Sequence, residues 1–225
     1  MKQFALPTWK SVLVIVAHPD DESFGLGAVL STFIESGTSV SVLCFTRGEA
    51  STLHGVLGNL STIRVEELQS AARELGIADV HLKAFRDGGL EEIDVDRLAD
   101  EARDIAAANK LDGILAFDSS GVTGHHDHIR ATAVALRVAT ELQVGLLGWT
   151  IPTSVAQTLN EEFGSTFAGH TDEEIDIEIT VDRSRQRRAI DCHLSQALPG
   201  SLLWRRLDLL SDRENLRWLH KPNLA

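Results

Sequence analysis

The chain has 225 residues, 43% of them apolar, and a formal net charge of −12. That supplies the core of one sizeable α/β domain, and the acidic balance argues against nucleic acid or an anionic membrane surface as the main partner. Two cysteines, Cys44 and Cys192, give neither a disulfide framework nor a thiolate metal cluster. No apolar run reaches signal-peptide or membrane-spanning character, so a soluble cytoplasmic protein is the expectation.

The first predicted element is a strand. Ser11–Glu22 reads SVLVIVAHPDDE. The β-branched run from Val12 to Ala17 predicts a buried parallel strand, and His18, Pro19, Asp20, Asp21 and Glu22 follow at its carboxyl end. In open α/β sheets that edge is where ligands bind. Three carboxylates packed there repel one another unless something positive sits among them, which implies a divalent metal. Helix capping explains the acidic residues equally well, because carboxylates and proline favour a first turn. His18 has no role in capping and favours the metal.

Ser23–Glu35 carries a helical spacing at Phe24, Ala28, Val29 and Phe33, stopped by Gly37. Gly25 and Gly27 do not make a dinucleotide loop: the third glycine is missing, and acidic side chains stand where a pyrophosphate would dock. Val40–Phe45 predicts a second strand, ending in Thr46, Arg47, Gly48 and Glu49. Residues 50–62, with His54 among them, read as a loop long enough to lie over the site. Ile63–Leu75 predicts a helix closed by Gly76. Arg64 opens it, where the helix dipole disfavours a cation, so Arg64 is expected to have a partner elsewhere. Val80–Phe85, ending in Arg86, Asp87, Gly88 and Gly89, is the third strand. A helix over Val95–Asn109 and a strand over Gly113–Phe117 follow. The alternation predicts a doubly wound parallel sheet.

The second polar cluster is Gly124-His125-His126-Asp127-His128, ahead of a helical stretch, Ile129–Leu142. His125 and His128 are three apart and share a face on a helical first turn, as do His18 and Asp21. Two such pairs at neighbouring strand ends can converge on one ion. Histidines plus a carboxylate with an open position make a catalytic zinc set, and His126 points away from it. Beyond lie a strand, Gly145–Trp149, a helix, Pro152–Phe163, and a half-exposed strand near an edge, Ile175–Val181. Arg183–Gln196 is expected to be helical. Its Arg183, Arg185, Arg187 and Arg188 form either a solvated face or partners for the preceding acidic strand, and His193 is expected to pack. The tail from Pro199, with Trp204 and Trp218, is expected to close one side of the domain.

Together, Ala17-His18-Pro19-Asp20-Asp21-Glu22 and His125-His126-Asp127-His128 resemble the PIG-L/LmbE family of zinc-dependent N-acyl-sugar deacetylases. The resemblance extends to Thr46-Arg47-Gly48-Glu49, Arg64-x-x-Glu67 with Leu75-Gly76, Arg86-Asp87-Gly88 and His193-x-Ser195-Gln196. It implies a Rossmann-like, three-layer α/β fold with a mostly parallel central sheet. It also implies one deacetylase domain over residues 1–225, with 172–225 as a C-terminal extension packing on it. By position, His18, Asp21 and His128 would hold Zn2+, and Fe2+ suits the same ligands.

The same resemblance makes Asp20 the general base and places His125 beside the metal, to help the transition state or protonate the leaving amine. Asp127 would orient a histidine. Arg64 and Asp87 stand where members of the family bind the sugar. Where some members place a Tyr oxyanion donor, this chain has Thr123, and it contains no Tyr at all. His125 is expected to stay off the metal because a carboxylate such as Asp127 raises its pKa and leaves it a cation. The implied activity is removal of an N-acetyl or short N-acyl group from an amino sugar or glucosaminyl conjugate, a small-molecule partner, with homo-oligomerisation left open. An amidase of thiol-sugar conjugates or other N-acyl substrates, and a metal-binding member without turnover, are the alternatives.

Overall fold

Strand β1 (Ser11–Val16) is buried on both faces, and its period of two divides the core. Val12, Val14 and Val16 join one apolar cluster, Leu13 and Ile15 the other. In this computed structural model, which describes residues 2–53 and 55–222, β1 lies near the middle of a seven-stranded sheet of order β3-β2-β1-β4-β5-β7-β6. The others are β2 (Ser39–Thr46), β3 (Asp79–Phe85), β4 (Gly113–Phe117), β5 (Gly145–Thr150), β6 (Ile177–Thr180) and β7 (Arg213–His220). Strands β1 to β5 pair in parallel, while β7 runs antiparallel to both β5 and β6.

Helices cover both faces. They are α1 (Asp21–Phe24), α2 (Gly27–Glu35), α3 (Leu60–Leu75), α4 (Val95–Ala108), α5 (His126–Leu142), α6 (Thr153–Phe163), α7 (Ser184–Ile190) and α8 (Leu202–Leu210). The cluster containing Leu13 and Ile15 is completed by α4 and α5 through Leu98, Ala102, Val134 and Val138. The opposite cluster takes Leu30 and Phe33 of α2 and Leu68 and Leu75 of α3. Gly76, at φ 83°, ends α3 in the left-handed conformation that glycine adopts without strain. Among the described residues no helix is long and apolar enough to cross a membrane.

The expected mostly parallel sheet is present, and the expected strands recur within a residue or two. Several expectations need correction or a limit. The helix expected over Ser23–Glu35 is broken between Phe24 and Gly27, giving α1 and α2. The helix expected over Arg183–Gln196 ends at Ile190, and turns carry the chain through His193. Two of the arginines there reach back to α3, Arg185 donating to the Leu75 carbonyl and Arg188 pairing with Glu74, while Arg183 pairs with Glu214 of β7 and Arg187 is exposed. His54, in the loop expected over the site, lies outside the described residues.

The tail is not a cover. It supplies α8 and β7, and β7 inserts between β5 and β6, so the edge strand is β6. Strand β7 hides in the sequence because its buried face carries Glu214, which takes the Arg183 guanidinium and the Trp149 indole N–H at 2.6 Å. A buried carboxylate breaks the apolar alternation by which strands are read.

Candidate metal and active site

The sheet order reverses between β1 and β4, and the crevice beyond their carboxyl ends is where such sheets bind ligands. His18 leaves β1 there, and His128 sits in the first turn of α5 just after β4. Asp21 opens α1. Its Oδ2 accepts the N–H groups of Ala17 (3.1 Å) and His18 (2.9 Å). Its Oδ1 lies 3.2 Å from His128 Nε2, which is 3.1 Å from His18 Nδ1. All three residues are less than 10% exposed: 7% for His18, 6% for Asp21 and 8% for His128. Ligands about 2.0–2.1 Å from a tetrahedral zinc stand roughly 3.3 Å apart, so these separations fit one metal ion.

The ring tautomer fits as well. His128 Nδ1 is 3.1 Å from the Gly121 carbonyl and 3.0 Å from Thr123 Oγ1. A proton on Nδ1 satisfies that carbonyl and leaves Nε2 free to ligate. Gly121 is needed at this approach: at φ 70°, a Cβ on it would lie 2.9 Å from His128 Cβ. A second donor group, His18, His125 and Asp127, shares His18 but includes the exposed His125.

The far side of His18 faces carboxylates. Nε2 lies 3.0 Å from Asp87 Oδ1 and 3.4 Å from Asp127 Oδ2, with neither oxygen in hydrogen-bond geometry. Burial opposes a proton on His18, yet Asp127, Asp87 and Asp21 outweigh it and raise its pKa to about 10. Burial likewise works against the Asp21 carboxylate, but His128 and His18 hold it well below the usual range. The cluster therefore demands positive charge, which a proton or a metal can supply. Asp127 is fixed by the N–H groups of Gly88 (2.8 Å) and Leu90 (3.0 Å), and Asp87 by that of Ala50 (2.8 Å). Asp127 thus stands against His18, and Asp87 joins it there.

Asp20 sits beside the trio at φ 132°, a conformation that costs a non-glycine residue about 1–3 kcal/mol. Its partners hold it. Glu22 Oε2 accepts the Asp20 N–H at 2.9 Å, and Arg64 Nη2 meets Asp20 Oδ2 at 2.9 Å. Arg64 also donates to the carbonyls of Gly48 (2.7 Å) and Pro19 (2.5 Å) and is 3% exposed. Arg64 thus has a distant partner, but α3 begins at Leu60, so Arg64 stands past the first turn and the helix dipole is not the reason. Burial raises the Asp20 pKa to about 6 against the lowering effect of Arg64. Glu22, fully buried, also takes His193 Nε2 at 2.9 Å, so His193 packs and reaches the site only through Glu22.

His125 corrects one expectation. It caps α5, with Nδ1 accepting the Asp127 backbone N–H at 3.1 Å. The Asp127 carboxylate turns to His18 instead. Burial, with His18 and His128 nearby, lowers the His125 pKa. The carboxylates favour positive charge at His18, from a proton or a metal, while His125 is held toward its neutral form. It stays close, 4.7 Å from the His18 ring and 5.1 Å from the His128 ring between centroids. His126 is outside the cluster, exposed and 3.1 Å from Glu91.

A cavity of about 490 Å³ opens on the trio. Asp20, Arg64, Asp87, Thr123 and His125 all line it, so the residues expected to act together share one edge of the sheet. Gln196, of the His193-x-Ser195-Gln196 motif, also lines it, and so do Phe24, Phe117, Trp149 and Arg206, which no sequence signal placed there. The aromatic residues looked like ordinary core, and Arg206 comes from a helix with no motif.

A family model described as PIG-L, GlcNAc-PI de-N-acetylase, matches residues 13–139. A 1D-myo-inositol 2-acetamido-2-deoxy-alpha-D-glucopyranoside deacetylase of Mycolicibacterium vanbaalenii is 28% identical over 227 residues, covering 82% of this chain and 80% of that protein. A probable N-acetyl-alpha-D-glucosaminyl L-malate deacetylase 2 of Bacillus cereus is 34% identical over 125 residues, 53% of this chain and 56% of its own. The match to the corresponding inositol-conjugate deacetylase of Salinispora arenicola, 28% identical, takes in 57% of this chain and spans 50% of that protein. Among solved structures, the zinc-inhibited form of teicoplanin deacetylase Orf2 superposes with a TM-score of 0.71 at 20% identity, over 92% of this chain and 97% of that one. The N,N'-diacetylchitobiose deacetylase of Pyrococcus horikoshii gives 0.70 at 21%, over 96% and 85%. The structural likenesses speak for the fold, and the matched sequence holds both polar clusters and every residue of the trio. The chain belongs to the PIG-L family, that of GlcNAc-PI de-N-acetylase.

Proposed function

We propose that this protein is a metal-dependent N-deacetylase that removes an acetyl or other short acyl group from an amino sugar or glucosaminyl conjugate. One observation carries the reading: the convergence of His18 Nδ1, His128 Nε2 and Asp21 Oδ1 at metal-ligand spacing, with Asp20 beside them and a cavity in front. The deacetylase names of the relatives point the same way. His18, Asp21 and His128 would hold the ion, zinc or ferrous iron. When bound, the ion polarises the amide carbonyl and lowers the pKa of a water toward about 7. Residues 1–225 would act as one domain, with 172–225 packed on the rest and supplying Gln196 and Arg206 to the cavity.

The chain's own groups manage the protons. A carboxylate with a pKa near 6 is mostly ionised at neutral pH, yet basic enough to take a proton and hand it on. Asp20 Oδ takes the proton of the attacking water and returns it to the nitrogen as the C–N bond breaks. His125, with Nδ1 committed to a backbone N–H, carries its proton on Nε2 and offers it as a hydrogen bond to the developing oxyanion. That takes the place of Thr123, whose oxygen accepts from His128 Nδ1–H and the His125 N–H and whose O–H faces the Gly121 carbonyl at 3.5 Å. Arg64 and Asp87 bind the sugar only with capacity left over from Asp20 and His18.

The test is a panel of N-acyl amino sugars assayed for released amine, with zinc or iron added back. Asp20→Asn should keep its metal and lose turnover by about 100-fold or more. Loss of metal together with activity would make Asp20 a ligand, and unchanged turnover would remove it from the reaction.

A further inference from the structure

Arg206 is a buried cation without an anion. It is 5% exposed, yet it lines the cavity that opens on the trio. Its guanidinium carbon lies 5.2 Å from the centre of the Trp149 ring, and Nη2 donates to the Phe24 carbonyl. Its Nε has no partner. Among the described residues no carboxylate forms an ion pair with it. The carboxylate it feels most, Glu214, is taken by Arg183 and by the Trp149 indole. Burial pulls the Arg206 pKa down to about 10, the mark of a cation short of compensation. An uncompensated buried charge destabilises a fold, and in a cavity wall it is a group waiting for a ligand.

The sheet order says which part of a substrate reaches it. The trio sits between the ends of β1 and β4. Loops after β2 and β3 lie to one side and bring Ala50, Ser51, Thr52, Asp87 and Gly88 into the cavity. These hydrogen-bonding groups suit a sugar. On the other side, β4, β5 and α8 bring Phe117, Trp149 and Arg206. An amide held at the trio with its sugar on the polar side extends its acyl group along the aromatic wall toward Arg206.

We propose that Arg206 binds a carboxylate at the far end of the acyl group, so that the preferred substrates are half-amides of short dicarboxylic acids, of the malonyl or succinyl kind, on an amino sugar. This rests on the amidase reading above and narrows it. The reaction balances with water alone: the amide C–N bond breaks, the water oxygen joins the acyl carbon, a proton goes to nitrogen, and a free amine and a dicarboxylate leave. The guanidinium fork suits a carboxylate by paired, charge-assisted hydrogen bonds.

The experiment compares kcat/KM for N-succinylglucosamine and N-acetylglucosamine in the metal-loaded wild type, Arg206→Met and Arg206→Lys. A third substrate, N-acetylglucosamine glycosidically linked to a hydroxy acid, carries its carboxylate on the sugar side. Binding of succinate and of acetate is measured by calorimetry on the same proteins. The wild type should prefer the succinyl substrate by at least about tenfold, the worth of one charge-assisted pair. It should bind succinate more tightly than acetate, and Arg206→Met should lose both preferences. Arg206→Lys keeps the charge without the fork and covers the case in which the Met variant does not fold.

A wild type that hydrolyses the acetyl substrate at least as well as the succinyl one overturns the proposal. Preference for the hydroxy-acid glycoside that disappears with Arg206 also overturns it, since the carboxylate then lies on the sugar. Arg206-dependent succinate binding without hydrolysis of any N-acyl sugar would leave the anion site standing and refute the deacetylase reading.

Discussion

In the proposed reaction Asp20 and His125 do different work because their surroundings shift their protons differently. The Asp20 carboxyl is pushed up to about 6 by burial, and Arg64 pulls it down. A base must be ionised, so kcat/KM should fall as pH drops through that value, with a bound cation moving the limb lower still. Arg64→Gln removes the nearby positive charge and should shift the acid limb of the pH profile to higher pH; a limb that stays put would free Arg64 from this role. The lowered pKa of His125 makes it a neutral donor. His125→Ala should cost roughly 10²–10³ in kcat, as loss of one oxyanion donor does, and the basic limb should keep its shape. His125→Gln, which retains an N–H, should recover part of the rate. A basic limb abolished in the Ala variant would make His125 a proton donor instead.

The elements carry these residues to one place, and side-chain ties between elements hold them there. The turn from β1 into α1 is anchored by Glu22, which bonds the Asp20 N–H, the Ser23 hydroxyl (2.5 Å) and His193 beyond α7. Burial disfavours charge on His193, but Glu22 outweighs it and raises the pKa. A raised pKa contributes stability that is complete below the unfolded value, about 6.5, and is lost as pH rises through the folded value. His193→Gln should therefore destabilise the protein by roughly 1–3 kcal/mol near pH 6 and by less near pH 9. Urea unfolding at the two pH values measures it, and an equal penalty at both would show a neutral His193 that only packs.

At the scale of the molecule, the trio joins two distant stretches of chain, since His18 and His128 are 110 positions apart. An ion that binds only the folded form stabilises it by mass action, about 2.7 kcal/mol at 100 times its Kd. For a chain of this size that corresponds to a rise in Tm of roughly 5–10 °C. Zinc should raise the melting temperature of the wild type and a chelator should reverse it, while His128→Ala should show no shift. A full shift in that variant would put the metal elsewhere.

Much of the site was legible before any coordinates. Motifs that follow an apolar strand are local, and the parallel sheet brings the ends of β1 and β4 together by a general rule, so His18, Asp20, Asp21, His125 and His128 could be grouped by spacing and resemblance. Other features depended on contacts between residues far apart in sequence. Which histidine the carboxylates favour charging turned on where the side chains of Asp127, Asp87 and Asp21 point. Strand β7 was hidden because its buried Glu214 is satisfied only by Arg183 and Trp149 from other elements. Arg206 reads as an ordinary helical surface residue until the fold lays its guanidinium over the Trp149 ring and buries it in the cavity wall. Local chemistry determines which residues can ligate, cap or titrate. Burial and long-range pairing, which arise only on folding, decide which of them carry charge and which face the substrate.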